Sequence, residues 1–246
     1  YLKYYKFNPA IYIWLMPLFA VMLMRLPYFG LDAMNSDEGL YASVARAMQR
    51  GGIPYRDAWD HAAPGIFYLY RFAFSIFGDW NMMSIRIIAL LAHITSAIIV
   101  GFEFRRTGGD IQGAVSATIV AVAVGCYLPA DVIAGLTETF MLPPLLFFAI
   151  MILRWTDELK LNVFTAGIVC AIAIWFKIHA LIMIIALLLG GIMSRSLTGK
   201  KLIQDLLICV KIMSVAFAVY LVLISALLLR GGWNDFWAMY IKYNIY

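Results

Sequence analysis

Apolar runs of membrane-crossing length recur along the chain, separated by short polar stretches in which Lys and Arg concentrate. A bilayer core takes about 20 apolar residues per helix. Residues 9–29, 80–103, 111–129, 138–155 and 202–229 each fit one span. The run 162–193 is too long for a single helix and is interrupted by Lys177 and His179, so it reads as two short helices meeting there. The pattern therefore predicts an all-α polytopic membrane protein of about seven transmembrane helices, forming one domain over residues 1–246.

Residues 30–79 follow a different rhythm. From Glu38 to Arg50 the apolar Leu40, Val44, Ala47 and Met48 recur at helical spacing, opposite Ser43, Arg46, Gln49 and Arg50. This is an amphipathic helix lying in the membrane interface, capped by Asn35 or Ser36 and stopped by Gly51-Gly52. Pro64 to Gly78 is aromatic and apolar with Arg71 in its middle. Fifteen residues are short for a span, so it reads as a second interfacial or re-entrant helix.

Composition removes other fold classes. Hydrophobic residues make up 64% of the 246 positions and charged residues 13%, against about 25% charged in a soluble domain. The net charge of +5 is loop charge of a membrane protein and does not point to nucleic acid. Cys126, Cys170 and Cys209 lie in apolar segments with no metal or disulfide spacing, as buried thiols do. With Tyr1 cytoplasmic, Lys3, Lys6, Arg105, Arg106, Arg154, Lys160, Arg195, Lys200 and Lys201 fall on the cytoplasmic side, in keeping with the positive-inside rule. The same orientation gathers Asp37, Glu38, Asp60, Asp131, Glu138 and Lys177 on the external face. The first residue is Tyr rather than Met, and the chain is expected to be a piece of a longer one.

The acidic pair Asp37-Glu38 has two readings. Carboxylates in a first helical turn are favoured by the helix dipole, by roughly 0.3–1 kcal/mol, and need no further role. Yet the loop goes on to carry Asp57, Asp60 and His61, and a long structured loop rich in carboxylates points to function. Lys177, a cation at a break between apolar helices, reads either as a snorkelling residue or as a ligand for an anion. His93, alone within a span, reads as a helix–helix hydrogen bonder. Arg86 reads as the partner of a carboxylate or headgroup.

The order "DEGLYASVARAMQRGGIPYRD", "HAAPGIFYLY", "SIRIIALL", "GLTETFMLPP" and "WFKIHAL" resembles the amino-terminal half of the GT-C integral-membrane glycosyltransferases. The likeness is greatest to the branch of protein O-mannosyltransferases and bacterial lipid A aminoarabinose transferases. The resemblance implies sugar transfer from a polyprenyl-phosphate-linked donor to a protein, lipid or glycan acceptor. It places the reaction on the external, periplasmic or lumenal, face of the membrane, the bacterial inner membrane being the expected setting. It implies Asp37 and Glu38 as the catalytic carboxylates, with Asp37 the general base. It matches Glu138 to an acidic position at the start of the fourth span and Lys177 to a lysine facing the lipid phosphate. Relatives often continue into a Lys-Pro-Pro or Glu-Lys-Pro element; here the place reads Asp60-His61-Ala62-Ala63-Pro64. A carboxylate and one proline are kept, and the basic residue is a histidine, whose charge follows pH.

The chemistry is consistent without the family. A lipid-phosphate leaving group develops negative charge, which Lys177 and an arginine such as Arg71 can neutralise. The acceptor hydroxyl or amine loses a proton, which a carboxylate can take. These residues firmly imply no cofactor, and they leave room for a divalent metal. Asp60, His61 and Glu138 are of metal-ligating type for a divalent ion, but their spacing is not diagnostic. The alternative class is a transporter or flippase of a polyprenyl-linked sugar or other amphiphile. Broken midplane helices in repeats would mark it; the sequence has one break, at Lys177, and no repeat.

Overall fold

The computed structural model describes residues 10–29, 36–126, 135–157, 160–197 and 202–245. Secondary structure among the described residues is helical apart from one isolated bridge, Pro54 to Ala58. A short turn, α1 (Ala10–Ile13), leads into α2 (Leu15–Arg25). The amphipathic stretch forms α3 (Ser36–Gln49), with Asp37 and Glu38 in its first turn. Gly51 ends it at φ 94°, a left-handed backbone that suits glycine. The aromatic stretch forms α4 (Pro64–Phe77), opened by a proline at its first position, where the absent N–H is not missed.

Next comes the longest element, α5 (Met82–Cys126), which contains a non-helical residue, Gly109, at φ 80°. The helix turns back there. Its two arms meet where Gly101 faces Gly113: a Cβ on Gly113 would lie 2.7 Å from the Gly101 carbonyl oxygen. Small residues allow such close approach between membrane helices. Then follow α6 (Thr137–Thr156), α7 (Val163–Phe176), α8 (Ala180–Leu197) and α9 (Leu202–Leu229). Asn162 caps α7 by accepting a hydrogen bond from the Thr165 N–H at 3.0 Å. The expected break falls at Lys177, whose backbone is extended. The chain closes with α10 (Trp233–Phe236), a π-helical turn over Trp237–Lys242, and a last turn, Tyr243–Ile245.

Among the described residues, α5, α6, α8 and α9 are long and apolar enough to cross a membrane, while α2 and α7 are shorter apolar helices. Helix α2 packs on α5, and α7 lies between α6 and α9. Large apolar side chains such as Phe19, Ile119, Ile182 and Val222 point outward, as they do on a bundle solvated by lipid. His93 does join helices: Arg25 Nε donates to its Nδ1 and its Nε2 bonds the Ala121 carbonyl, both at 3.0 Å.

The two ends of the bundle differ. One is tied by paired charges: Arg154 donates to Glu103, Arg195 donates to Asp205 while lying over the Trp155 ring, and Arg105 pairs with Asp110. The other carries α3, α4, the Lys177 break and the tail, and it holds the site.

Candidate active site

Helices α3 and α4 pack through a buried aromatic group, Tyr41 against Phe67 and Tyr70, with ring centroids 6.0 and 5.9 Å apart and edges toward faces, the arrangement favoured by the ring quadrupole. The start of α4 then presses on the end of α7. A Cβ on Gly65 would come within 2.5 Å of the Trp175 carbonyl oxygen, so only glycine fits. That contact sets His61, Ala62 and Ala63 beside Lys177.

The acidic pair divides. Glu38 is fully buried. Its Oε2 accepts from Arg86 Nη2 at 3.2 Å, and its Oε1 accepts from the Gly135 N–H at 2.8 Å. Tyr70 Oη donates to the Gly135 carbonyl at 3.0 Å, so both backbone polar groups of that residue are held. A Cβ on Gly135 would collide with Ile85 and Tyr70. Glu38 thereby fixes the segment that opens α6 and carries Thr137 and Glu138. Its neighbour Asp37 is exposed and lines a cavity of about 150 Å³.

The cavity brings Asp37, His61, Glu138 and Lys177 together. Lys177 Nζ is paired with Glu138 Oε1, and the other Glu138 oxygen accepts from Thr137 Oγ1 at 2.9 Å. A cation is thus held at the wall of a polar cavity by a half-exposed carboxylate. Asp60 lies just behind. It is buried, its Oδ1 accepts from the Ala62 N–H at 2.6 Å, and it stands 3.9 Å from His61 Nδ1. Burial pushes its carboxyl above the usual range, because desolvation disfavours the charged form. Asp57 serves the loop, accepting from the Ile53 N–H at 2.8 Å and from Arg56.

Two expected site residues stand elsewhere. Arg71 is not among the residues lining the cavity, and Glu38 has the anchoring position just described. The metal-ligating types are not gathered either. Asp60 is beside His61 but Glu138 is engaged by Lys177, and no group of three His, Cys, Asp or Glu suited to a metal occurs among the described residues. Asp131 lies outside the described residues.

Other residues of the site have no role assigned to them from the sequence. Tyr41, Phe176, His179, Tyr240 and Asn244 also line the cavity. Tyr41 sits one helical turn beyond Asp37, on the same face, and burial raises its hydroxyl pKa. Tyr240 and Asn244 belong to the aromatic tail, which folds back over the first loop. Asn244 Nδ2 donates to the His61 carbonyl at 2.9 Å, Trp59 Nε1 approaches Met239 Sδ at 3.0 Å, and Arg230 bonds the Gly51 carbonyl. Tyr240 lies in the π-helical turn, a distortion frequent at functional sites. Tyr55 locks the two segments from below. It is buried at φ 72°, a conformation costing a bulky residue roughly 1–3 kcal/mol. Its hydroxyl donates to the Ala62 carbonyl at 2.7 Å and its ring meets Phe67, Phe236 and Tyr240.

The described residues thus form a helical membrane bundle in which carboxylates and a cation share one polar cavity at one end. The chain belongs to the dolichyl-phosphate-mannose-protein mannosyltransferase family, whose sequence pattern matches residues 60–229, over two thirds of its length. No curated protein and no solved structure matches it. The matched stretch includes Asp60, His61, Glu138 and Lys177; Asp37 and Tyr41 precede it, and Tyr240 and Asn244 follow it.

Proposed function

We propose that this chain transfers a sugar from a polyprenyl-phosphate carrier to an acceptor on the external face of the membrane. The sugar is a hexose, mannose being the one in the family's description. The observation that carries this reading is that Asp37 and Lys177 line one cavity. They are the two kinds of group the reaction needs. The acceptor's hydroxyl or amine attacks the anomeric carbon and gives its proton to the Asp37 carboxylate. The bond from the anomeric carbon to the phosphate oxygen breaks, and the polyprenyl phosphate departs with the electron pair. Lys177 neutralises the charge that grows on it. In the resting state Glu138 holds the ammonium in place; the arriving phosphate shares or displaces that partner.

Seven crossings follow if α2, both arms of α5, α6, α7, α8 and α9 each span the bilayer. Charge then orients them: Arg105, Arg106, Arg154 and Arg195 lie at the end opposite the cavity, as cytoplasmic loops require. In a bacterium the cavity would open to the periplasm. The protein, lipid or glycan acceptor enters from that side.

The test uses purified full-length protein in nanodiscs with polyprenyl-phosphate mannose and a mixture of candidate acceptors. Release of polyprenyl phosphate, dependent on acceptor and cut roughly 10²–10⁴-fold by Asp37→Asn, is the expected result. In sealed vesicles carrying the same protein, movement of intact donor across the bilayer without its cleavage would instead make the protein a flippase.

A further inference from the structure

We propose that Trp59, His61 and Tyr243 form an aromatic rim that receives a pyranose ring at the mouth of the cavity. The proposal rests on the sugar-transfer reading above and specifies where the sugar lies.

Three rings converge there from opposite ends of the chain. His61 and Tyr243 have centroids 5.0 Å apart, Trp59 and Tyr243 5.8 Å, and Trp59 and His61 6.3 Å. All three are about half exposed: Trp59 48%, Tyr243 54%, and the His61 side chain 50%. Half-exposed rings crowded at one spot leave apolar faces uncovered beside polar edges. The C–H face of a pyranose suits the former and its hydroxyls the latter. A lipid tail has nothing to offer the imidazole of His61, the Tyr243 hydroxyl or the carboxamide of adjoining Asn244.

The rim is also held in place. Trp59 is fixed through Met239, and the His61 backbone through Asn244; ordering costs met before the ligand arrives favour binding. His61 and Asn244 line the same cavity as Lys177, so a ring whose phosphate rests at Lys177 lies within reach of the rim.

The tail supplies a contrast. Of the rim, His61 lines the cavity, and Trp59 and Tyr243 pack on its ring. Trp233 and Trp237 are equally exposed and pack on each other at 5.8 Å, but among the described residues neither makes a ring contact with a residue that lines the cavity. These are the rings expected to anchor in the membrane interface. Anchoring therefore does not demand a second aromatic group at the cavity mouth.

The experiment measures binding of polyprenyl-phosphate mannose, and of polyprenyl phosphate without sugar, to full-length protein in nanodiscs. Wild type is compared with Trp59→Ala, Trp59→Phe, Tyr243→Ala and the control Trp237→Ala. Aromatic contacts of this kind are worth about 3- to 10-fold in affinity. Trp59→Ala and Tyr243→Ala should lose that much for the mannose-bearing lipid and nothing for the bare one. Trp59→Phe should recover most of the loss, and Trp237→Ala should behave as wild type. If the rim variants bind the mannose lipid normally but fail to bind methyl mannoside once loaded with it, the ring received is the acceptor's. Unchanged binding of both sugars, or equal weakening for both lipids, would overturn the rim. Failure of wild type to bind the mannose lipid would overturn the sugar-transfer reading itself, and the rim with it.

Discussion

Glu38 Oε1 accepts the Gly135 N–H at 2.8 Å, tying the first turn of α3 to the residue two places before α6. Adjacent carboxylates thus have separate work. Glu38, buried against Arg86, builds the wall that carries Glu138, while Asp37 faces the cavity.

That division is open to test by stability. Glu38→Ala should destabilise the protein by about 3–5 kcal/mol, since it leaves Arg86 buried without this carboxylate. Thermal unfolding in detergent should show it as a large drop in melting temperature. A Glu38→Ala protein as stable as wild type but inactive would assign Glu38 to the chemistry instead.

Asp37→Asn should behave in the opposite way. The amide keeps size and capping ability, so stability should change by only tenths of a kcal/mol. Transfer should fall by roughly 10²–10⁴-fold, as loss of an acid–base group does. Near-normal turnover of well-folded protein would return Asp37 to a helix-dipole role.

Lys177→Met removes the charge and keeps the length. Donor binding should weaken by about 1.5–3 kcal/mol, the worth of a charge-assisted contact, or one to two decades. Simple snorkelling predicts unaltered donor affinity. Glu138→Gln sharpens the case, because it removes the carboxylate that competes with phosphate for the ammonium. Bare polyprenyl phosphate should then bind more tightly than to wild type, and an equal or weaker affinity would argue that Glu138 and phosphate do not share Lys177.

Sidedness can be read by labelling. In a background with Cys126, Cys170 and Cys209 replaced by Ala, single cysteines at the exposed positions Ser36 and Asn234 should react with an impermeant thiol reagent from outside. One at Thr107, beside Arg106, should react only after the membrane is opened. The reverse pattern would place the cavity in the cytoplasm.

The helices were legible because their signals are local. The periodicity after Glu38, the glycines that end α3, the short aromatic stretch Pro64 to Gly78 that forms α4 and the charge interrupting 162–193 each act within a few residues. The pairing of Lys177 with Glu138 was half legible, as two ionisable groups assigned to one face. What the sequence concealed depends on long-range packing. Nothing near Glu38 announces that Arg86 and the Gly135 backbone will enclose it. Arg71 shares a chemistry with Lys177 but lies on α4, away from the cavity lining. Tyr240 and Asn244 sit in a tail whose Trp and Tyr content suggests an interface; only folding over the first loop puts them at the cavity.

That fold-back has a consequence for how the protein is made. The bonds from Arg230 to Gly51, Met239 to Trp59 and Asn244 to His61 join residues about 180 positions apart. At ordinary rates of synthesis the loop waits roughly 10–40 s for its partner. During that interval the backbone of residues 51–61 has no clasp, and Trp59 and Tyr55 stand without the tail rings. Synthesis cut short before residue 230 would leave residues 51–61 without all three of these contacts.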